Sequence, residues 1–436
     1  MKARHIAVGV GSLFLSRGGT ERAAVYLAEA MITRGHRVTL FYLPHPRNRP
    51  TPVYTVHPAC AVVSGPTQRH EDIRNMREIL RACDVDVFLS MESSAAHLLW
   101  AVSVLGTGIP FICSERHHPR YIEEHFWNRP GRMAVLGGAD FIHELFPEYL
   151  QHVPEIWRDK ARAIGNSAPV GSVVRAWPAG EREERKILLY LARLKAPKRP
   201  DLLIRAFALL KDEFPDWHLH LWGHGPLVRP LRALIRKLKL DAQARILGET
   251  HDALSLYAEA HLYCLPSEEE GFPNSILEAM NAGLPCVAFG GCAGAAALIE
   301  DQVNGALAAE MTAESLAASL KPLMASRGLR TALGEAGRQR AAEYASERVF
   351  DQWEMLLEEA AACKGHTVMD GFREDPFACR STLSAAARRE WIFRDFGQPM
   401  PHSLSWARDR LTEQLDLATS QEASGIFGSA MKNRHG

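Results

Sequence analysis

The chain has 436 residues, long enough for about two or three domains that each bury a core. Hydrophobic residues make up 47% and charged residues 23%, an ordinary globular balance. Its 51 Lys and Arg offset 51 Asp and Glu, so the formal net charge is zero and the basic excess of a nucleic-acid binder is missing.

No run approaches the ~20 apolar residues of a membrane span, so any membrane contact is peripheral. None of the 8 cysteines forms a CxxC pair, which argues against a zinc or thioredoxin-type motif. Cys113, Cys264 and Cys286 lie in apolar strand-like runs, where a free thiol acts as a small hydrophobe. A reduced, cytoplasmic protein is expected.

His5 to Val10 reads as a buried strand, followed by a glycine-bearing loop through Gly18 and Gly19. Ala24, Leu27, Ala28 and Met31 then recur at helical spacing, with Thr20 as a candidate cap and Gly35 as the stop. Arg37 to Tyr42 is the next strand. Further on, Arg74–Ala82 and Ala95–Leu105 read as helices, and Val85–Ser90, Pro110–Cys113 and Arg162–Ile164 as strands. Asp84 and Asp86 form a DxD-like pair, read as a strand entry rather than a metal site.

Proline, glycine and a charge run break the pattern over residues 169–185, an expected interdomain linker. A second series follows. Strands are expected at 187–191, 219–222, 245–247, 262–265 and 286–289, with helices at 201–211, 227–238, 253–260, 273–282, 313–325 and 329–344. The predicted domains are Rossmann-like units at 1–168 and 186–345, followed by a helix at 346–362 and a helical tail of unreadable role at 363–436. The fold class is α/β, with two doubly wound parallel sheets. Ligands of such sheets lie outside the carboxyl ends of the strands, so a cleft between the two is the expected site.

The stretch from Pro266 to Met280 carries most of the chemistry. A strand end, a loop with Gly271, and Pro273 as an expected first helical residue would leave backbone N–H groups from Gly271 to Ser275 facing an anion. Glu270 sits at the loop mouth, and Glu278 lies about 7–8 Å further along the helix, where a carboxylate could grip a ribose. Spacing alone equally allows a surface helix with solvated glutamates. Arg193 and Lys198 follow the strand at 187–191 and could converge on one diphosphate, or could be a solvated basic loop. Gly18-Gly19 allows close backbone approach, though a plain turn fits as well. Phe14 at the third glycine position rules out a nicotinamide fingerprint beginning at Gly9.

The stretch from Glu270 to Glu278, in its EGFP…LEAM context, closely resembles the Glu-x7-Glu motif of retaining family-4 glycosyltransferases with the GT-B fold. The resemblance covers about residues 1–360 and is strongest from 186 to 308. It implies that Glu278 binds the nucleotide ribose and Glu270 lies beside the transferred sugar. Gly271, Phe272, Pro273, Asn274 and Ser275 then hold the donor phosphate and sugar. Arg193 and Lys198 match the cations on the diphosphate, although Ala192 and Arg199 stand where the family has glycines. Gly18 and Gly19 match its N-terminal glycine loop, and Gly223 a loop lining the base pocket. Asn166 matches a hinge asparagine. Arg116 and His117, in Ser-Glu-Arg-His, compete for contact with the sugar. Ala297 falls where the family has an acid opening a helix.

The implied activity is transfer of a hexose from a UDP-, GDP- or ADP-sugar to a glycan, lipid-linked or small-molecule hydroxyl. The anomeric configuration would be retained and neither metal nor cofactor is needed. A non-catalytic or regulatory relative is the alternative, and a phosphorylase or epimerase on the same fold is a weaker third. Tyr121, Phe126 and Trp127, among Arg116, Arg120, Arg129 and Arg132, offer a candidate contact to anionic lipid, with an ordinary helix as the competing reading.

Overall fold

The computed structural model describes residues 2–15, 18–66, 70–92, 96–104, 107–125, 129–168, 185–250 and 252–367. The expected linker, apart from Arg185, and the tail beyond residue 367 lie outside these, as do Phe126 and Trp127. The described chain forms two compact units: one takes residues up to Gly165 and again from Val349, the other Asn166–Arg348.

The first unit holds β1 (His5–Val10), α1 (Gly19–Thr33), β2 (Arg37–Tyr42), β3 (Ala61–Ser64), α2 (His70–Ala82), β4 (Val87–Glu92) and α3 (Ala96–Val104). β5 (Phe111–Glu115), α4 (Pro119–His125), α5 (Arg129–Gly138), β6 (Phe141–Glu144) and β7 (Ala161–Ala163) follow, with two 3-10 turns between the last two strands. The sheet runs β3-β2-β1-β4-β5-β6-β7, and every pairing is parallel. β1, β4, β5 and β6 are buried throughout, because helices cover both faces of a parallel sheet. Phe88 is central to the core, with Phe41, Trp100 and Phe111 rings 5.7–6.1 Å away.

The second unit holds β8 (Lys186–Leu191), α6 (Pro200–Leu210), β9 (Trp217–Trp222), α7 (Val228–Lys237), β10 (Ala244–Gly248), α8 (Ala253–Glu259) and β11 (Leu262–Leu265). α9 (Asn274–Asn281), β12 (Cys286–Phe289), α10 (Ala293–Leu298), β13 (Ala306–Ala308), α11 (Ala313–Ala325) and α12 (Arg327–Ala342) follow. Its order, β10-β9-β8-β11-β12-β13, reverses between β8 and β11. The loops after those two strands are therefore where a ligand is expected.

α13 (Ser346–Ala361) lies mostly in the first unit, although it follows the second in sequence. Trp353 stacks on His143 at 4.3 Å. Glu358 pairs with Arg4, Glu354 with Arg34 and His36, and Glu359 with Arg162. Lys364 binds Asp84 and Asp86, the DxD-like pair. No helix among the described residues is long and apolar enough to cross a membrane.

Several elements depart from the sequence reading. β3, β6, α10 and β13 fall outside the sequence reading, since segments of three to six residues are too short to show a period. Thr20 does not cap α1. Gly18 does, without a side-chain bond, so the helix begins two residues earlier, at Gly19. Pro273 is the N-cap of α9 rather than its first residue. β4 and β5 each extend two residues beyond the expected ends, carrying Glu92, Ser114 and Glu115 into the buried sheet.

Candidate functional site

The loops after β8 and β11 meet at the switch point of the second unit. Lys198 Nζ lies 2.5 Å from Glu270 Oε1. Ser267, fully buried, donates its hydroxyl to the same oxygen at 2.7 Å. Glu268 N–H donates to Pro197 O at 2.9 Å, and Arg199 pairs with Glu268 at 2.7 Å. Two motifs some seventy positions apart are thus joined by a backbone bond and two ion pairs.

Arg199 occupies a left-handed conformation, φ 45° and ψ 44°, between the short 3-10 turn Ala196–Lys198 and α6. That region favours glycine, at a cost of about 1–2 kcal/mol for other residues. The loop shape is therefore kept without the glycine, and Arg199 is fixed by Asp201 and Glu268. It is an ion-paired strut rather than a spare cation. Arg193 is exposed and makes no ion pair among the described residues.

Glu278 is the fifth residue of α9 and only 7% exposed, so the solvated-helix reading fails. Its Oε2 accepts from the Tyr257 hydroxyl of α8 at 3.0 Å. Asn274 Oδ1 accepts from Asn166 Nδ2 at 2.9 Å. The expected row of unpaired amides is shorter than the sequence implied: Asn274 N–H donates to Phe272 O, and Pro273 has none to give. The Phe272 ring packs edge-on against Tyr344 at 5.5 Å, which leaves its backbone as the part near the loop. Tyr263, buried behind the loop, donates to Leu191 O at 3.2 Å and also hydrogen-bonds Ser275.

Gly223 and Gly225 explain themselves by contact. A Cβ at Gly223 would lie 1.9 Å from Ala192 O, and one at Gly225 would lie 2.3 Å from Leu194 O. Ala192 and Leu194 donate backbone bonds to Trp222 O and His224 O, and Gly223 donates to Gly248 O at 2.6 Å. The loops after β8, β9 and β10 are stitched into one rim. Gly294 does the same on the other side: its Cβ would sit 2.3 Å from Glu270 O. Ala297 lies near the end of α10, its carbonyl accepting from Arg340, so it is not a helix-opening position. The opening is Cys292-Ala293-Gly294, packed on the Glu270 loop.

In the first unit, Gly18 and Gly19 form the N-terminus of α1, and Gly18 O accepts from Tyr54 at 3.1 Å. Arg116, just beyond β5, is buried, and burial lowers its pKa to about 10. It reaches Ser114 Oγ at 3.4 Å. His117 is half-buried beside the Tyr121 ring at 5.5 Å. Arg132 is 1% exposed and grips Glu115 with two bonds of 2.7 and 2.6 Å. Both arginines are therefore buried, which removes them from the anticipated lipid contact.

Sequence reasoning missed the polar cluster behind these residues. Burial, then the Glu115 charge, pushes the Glu144 carboxyl well above its usual range. Burial alone would raise Glu115 too, but Arg132 holds it below. His143 accepts from Ser114 and donates to Ile164 O, so burial holds it neutral, its pKa lowered to about 3. Ser90 and His97 repeat the pattern one strand away, with Glu92 O as acceptor. A seryl-histidyl pair split across two strands leaves no spacing signal. Ser267, Tyr257 and Gly294 were equally silent, because their roles depend on partners in other segments.

An acidic and a basic loop meeting at the switch point of a Rossmann-like sheet, in a chain that also holds a second α/β unit, fit a glycosyltransferase of the GT-B fold. Residues 176–340 match the family model "Glycosyl transferases group 1" and residues 17–142 match "Glycosyltransferase Family 4". The chain belongs to the family-4 glycosyltransferases. It is 24% identical over 351 residues to an uncharacterized glycosyltransferase of Haemophilus influenzae, covering 78% of this chain and 97% of that one. An exopolysaccharide phosphotransferase of Streptomyces coelicolor is 28% identical over 321 residues; the match covers 72% of this chain but only 33% of that one. Among solved structures, Anabaena HepE in complex with UDP and glucose superposes with TM-score 0.66 at 17% identity, covering 82% of this chain and 100% of HepE. Pneumococcal O-GlcNAc transferase GtfA, in complex with UDP and GlcNAc, gives 0.67 at 13%, covering 83% and 99%.

Proposed function

We propose that the protein transfers a sugar from a nucleoside-diphosphate donor to an acceptor hydroxyl with retention of configuration and without a metal ion. The observation that carries this reading is the Lys198–Glu270 pair, which joins the basic and acidic loops at one sheet edge, with the buried Glu278 carboxylate on the helix behind. Uridine diphosphate is the first donor base to test, since HepE and GtfA were each solved with UDP.

In this reading Glu278 accepts the ribose hydroxyls alongside Tyr257. The diphosphate draws Lys198 from Glu270 and adds Arg193, so charge building on the leaving group meets two cations and the amides near Gly271. Glu270, released, faces the sugar as oxocarbenium character develops. The acceptor attacks the same face, and a phosphate oxygen takes its proton. The cations and amides perform the charge stabilisation that a metal provides elsewhere. Glycan and lipid-linked acceptors both suit the reading, in line with a role in polysaccharide synthesis.

Thermal shift with UDP, followed by transfer and donor hydrolysis with UDP-sugars, tests it. Donor at 100 times its Kd raises stability by about 2.7 kcal/mol. Glu278→Ala is expected to abolish that shift; an equal shift in both proteins removes the ribose assignment. A wild type that binds UDP-sugars yet neither transfers nor hydrolyses them favours the non-catalytic alternative.

A further inference from the structure

We infer that the outward flank of α7 is a docking surface for an anionic phospholipid bilayer. The chain as a whole is neutral, yet Trp217 to Leu240 contains no Asp or Glu. Within that stretch α7 turns Leu231 and Ile235 into the core and leaves Arg229, Arg232 and Arg236 exposed. Spacings of three and four place these arginines in one stripe. Lys237 and Lys239 extend the charge. None of the five makes an ion pair among the described residues. Several other basic side chains of this unit are matched, Lys186 with Asp216, Lys321 with Glu213, Arg338 with Glu335 and Arg340 with Glu343, whereas the five on and after α7 stand together without an acid between them.

The other flank of α7 opens on a groove of about 620 Å³ against α6. Leu227, Pro230, Ala233 and Leu234 line it with the cations Arg205 and Lys237, and its two acids, Asp201 and Glu268, are both paired with Arg199. Leu209, one turn beyond Arg205 on α6, is 58% exposed. A naked polyanion has no use for an apolar groove beside its cations. A bilayer surface offers phosphates to the arginine stripe and acyl edges to the apolar groove beside it. This surface stands on charge and shape alone, independent of the donor chemistry, and it replaces a contact through Arg116 and Arg132.

The test is flotation of the full chain with vesicles of phosphatidylglycerol and phosphatidylcholine, against phosphatidylcholine alone. Each cation held near an anionic surface raises partitioning about fivefold. The triple variant R229A/R232A/R236A is therefore expected to partition about a hundredfold less, while its thermal shift with UDP stays at the wild-type value. Binding by the wild type is expected to fall with added salt. Failure of the wild type to float with anionic vesicles, or equal flotation of the variant, overturns the proposal. So does displacement of the wild type from vesicles by soluble polyphosphate together with equal affinity for it, which would mark a polyanion site. Loss of the UDP response in the wild type would count against the glycosyltransferase reading alone.

Discussion

Gly294→Ala separates two opposite expectations. Gly294 lies in the first turn of α10, and helix propensity alone predicts that alanine there stabilises the protein by about 0.5–1 kcal/mol. The added Cβ, however, would meet Glu270 O at 2.3 Å, Glu270 C at 3.0 Å and Gly271 O at 3.1 Å. Ordinary contact needs about 1 Å more, and both obstructing groups are backbone, so the helix or the loop must move. Overpacking of this kind costs about 1–3 kcal/mol, which exceeds the propensity gain and leaves a net loss of up to about 2 kcal/mol. The displaced segment carries Glu270, so a shift of about 1 Å is expected to cost about a hundredfold in turnover although residue 294 is no part of the charge machinery. Thermal melting, UDP titration and transfer kinetics on the two proteins measure all three. A variant that melts higher and turns over normally would show that the Gly294–Glu270 contact imposes nothing.

Other predictions concern the first unit and the ribose carboxylate. Arg132→Ala leaves Glu115 buried without its partner and is expected to destabilise by about 3–5 kcal/mol, read by chemical denaturation. His143 has its folded pKa depressed from 6.5 to about 3, so the unfolded chain binds the proton first. Its contribution is complete above pH 6.5 and is lost progressively as pH falls towards about 3. Melting temperature is expected to drop over that window, with a shallower slope in His143→Gln. Tyr257→Phe removes one donor from Glu278 while keeping the ring, and is expected to weaken UDP binding by about tenfold or less with no loss of fold. Unchanged UDP affinity in that variant would detach Tyr257 from the site.

The alternation of apolar runs with helical periods made most of the architecture legible before any coordinates. Strands such as β1 and β12 are continuously apolar because both faces are covered, and α6 shows its inward residues at clear spacing. The elements that escaped are short or partnered at a distance. β13 has three residues, four of the six residues of α10 are alanine, and neither displays a period. Within the site, Glu270 and Lys198 stand in loops after strands and Glu278 inside a helix, and the resemblance carried by the Glu-x7-Glu context singled them out where spacing alone did not. Their supports could not be singled out: Ser267 and Tyr257 look like any hydroxyl residue until the fold brings a carboxylate to them. The burial of Arg132 was hidden for the same reason, since a guanidinium reads as surface unless its buried partner, here Glu115, is in view, and that of Arg116 beside Ser114 left no signal either.

The left-handed Arg199 constrains the order in which this loop can change. In a loop shaped by glycine, the flanking carboxylates are free to drift. Here Asp201 and Glu268 compensate an unfavourable backbone, so losing either exposes the penalty at once. Substitution of residue 199 by glycine would have to come first, after which both acids become dispensable. The three positions form one lock, and sequences that share the arginine are expected to carry the two acids with it.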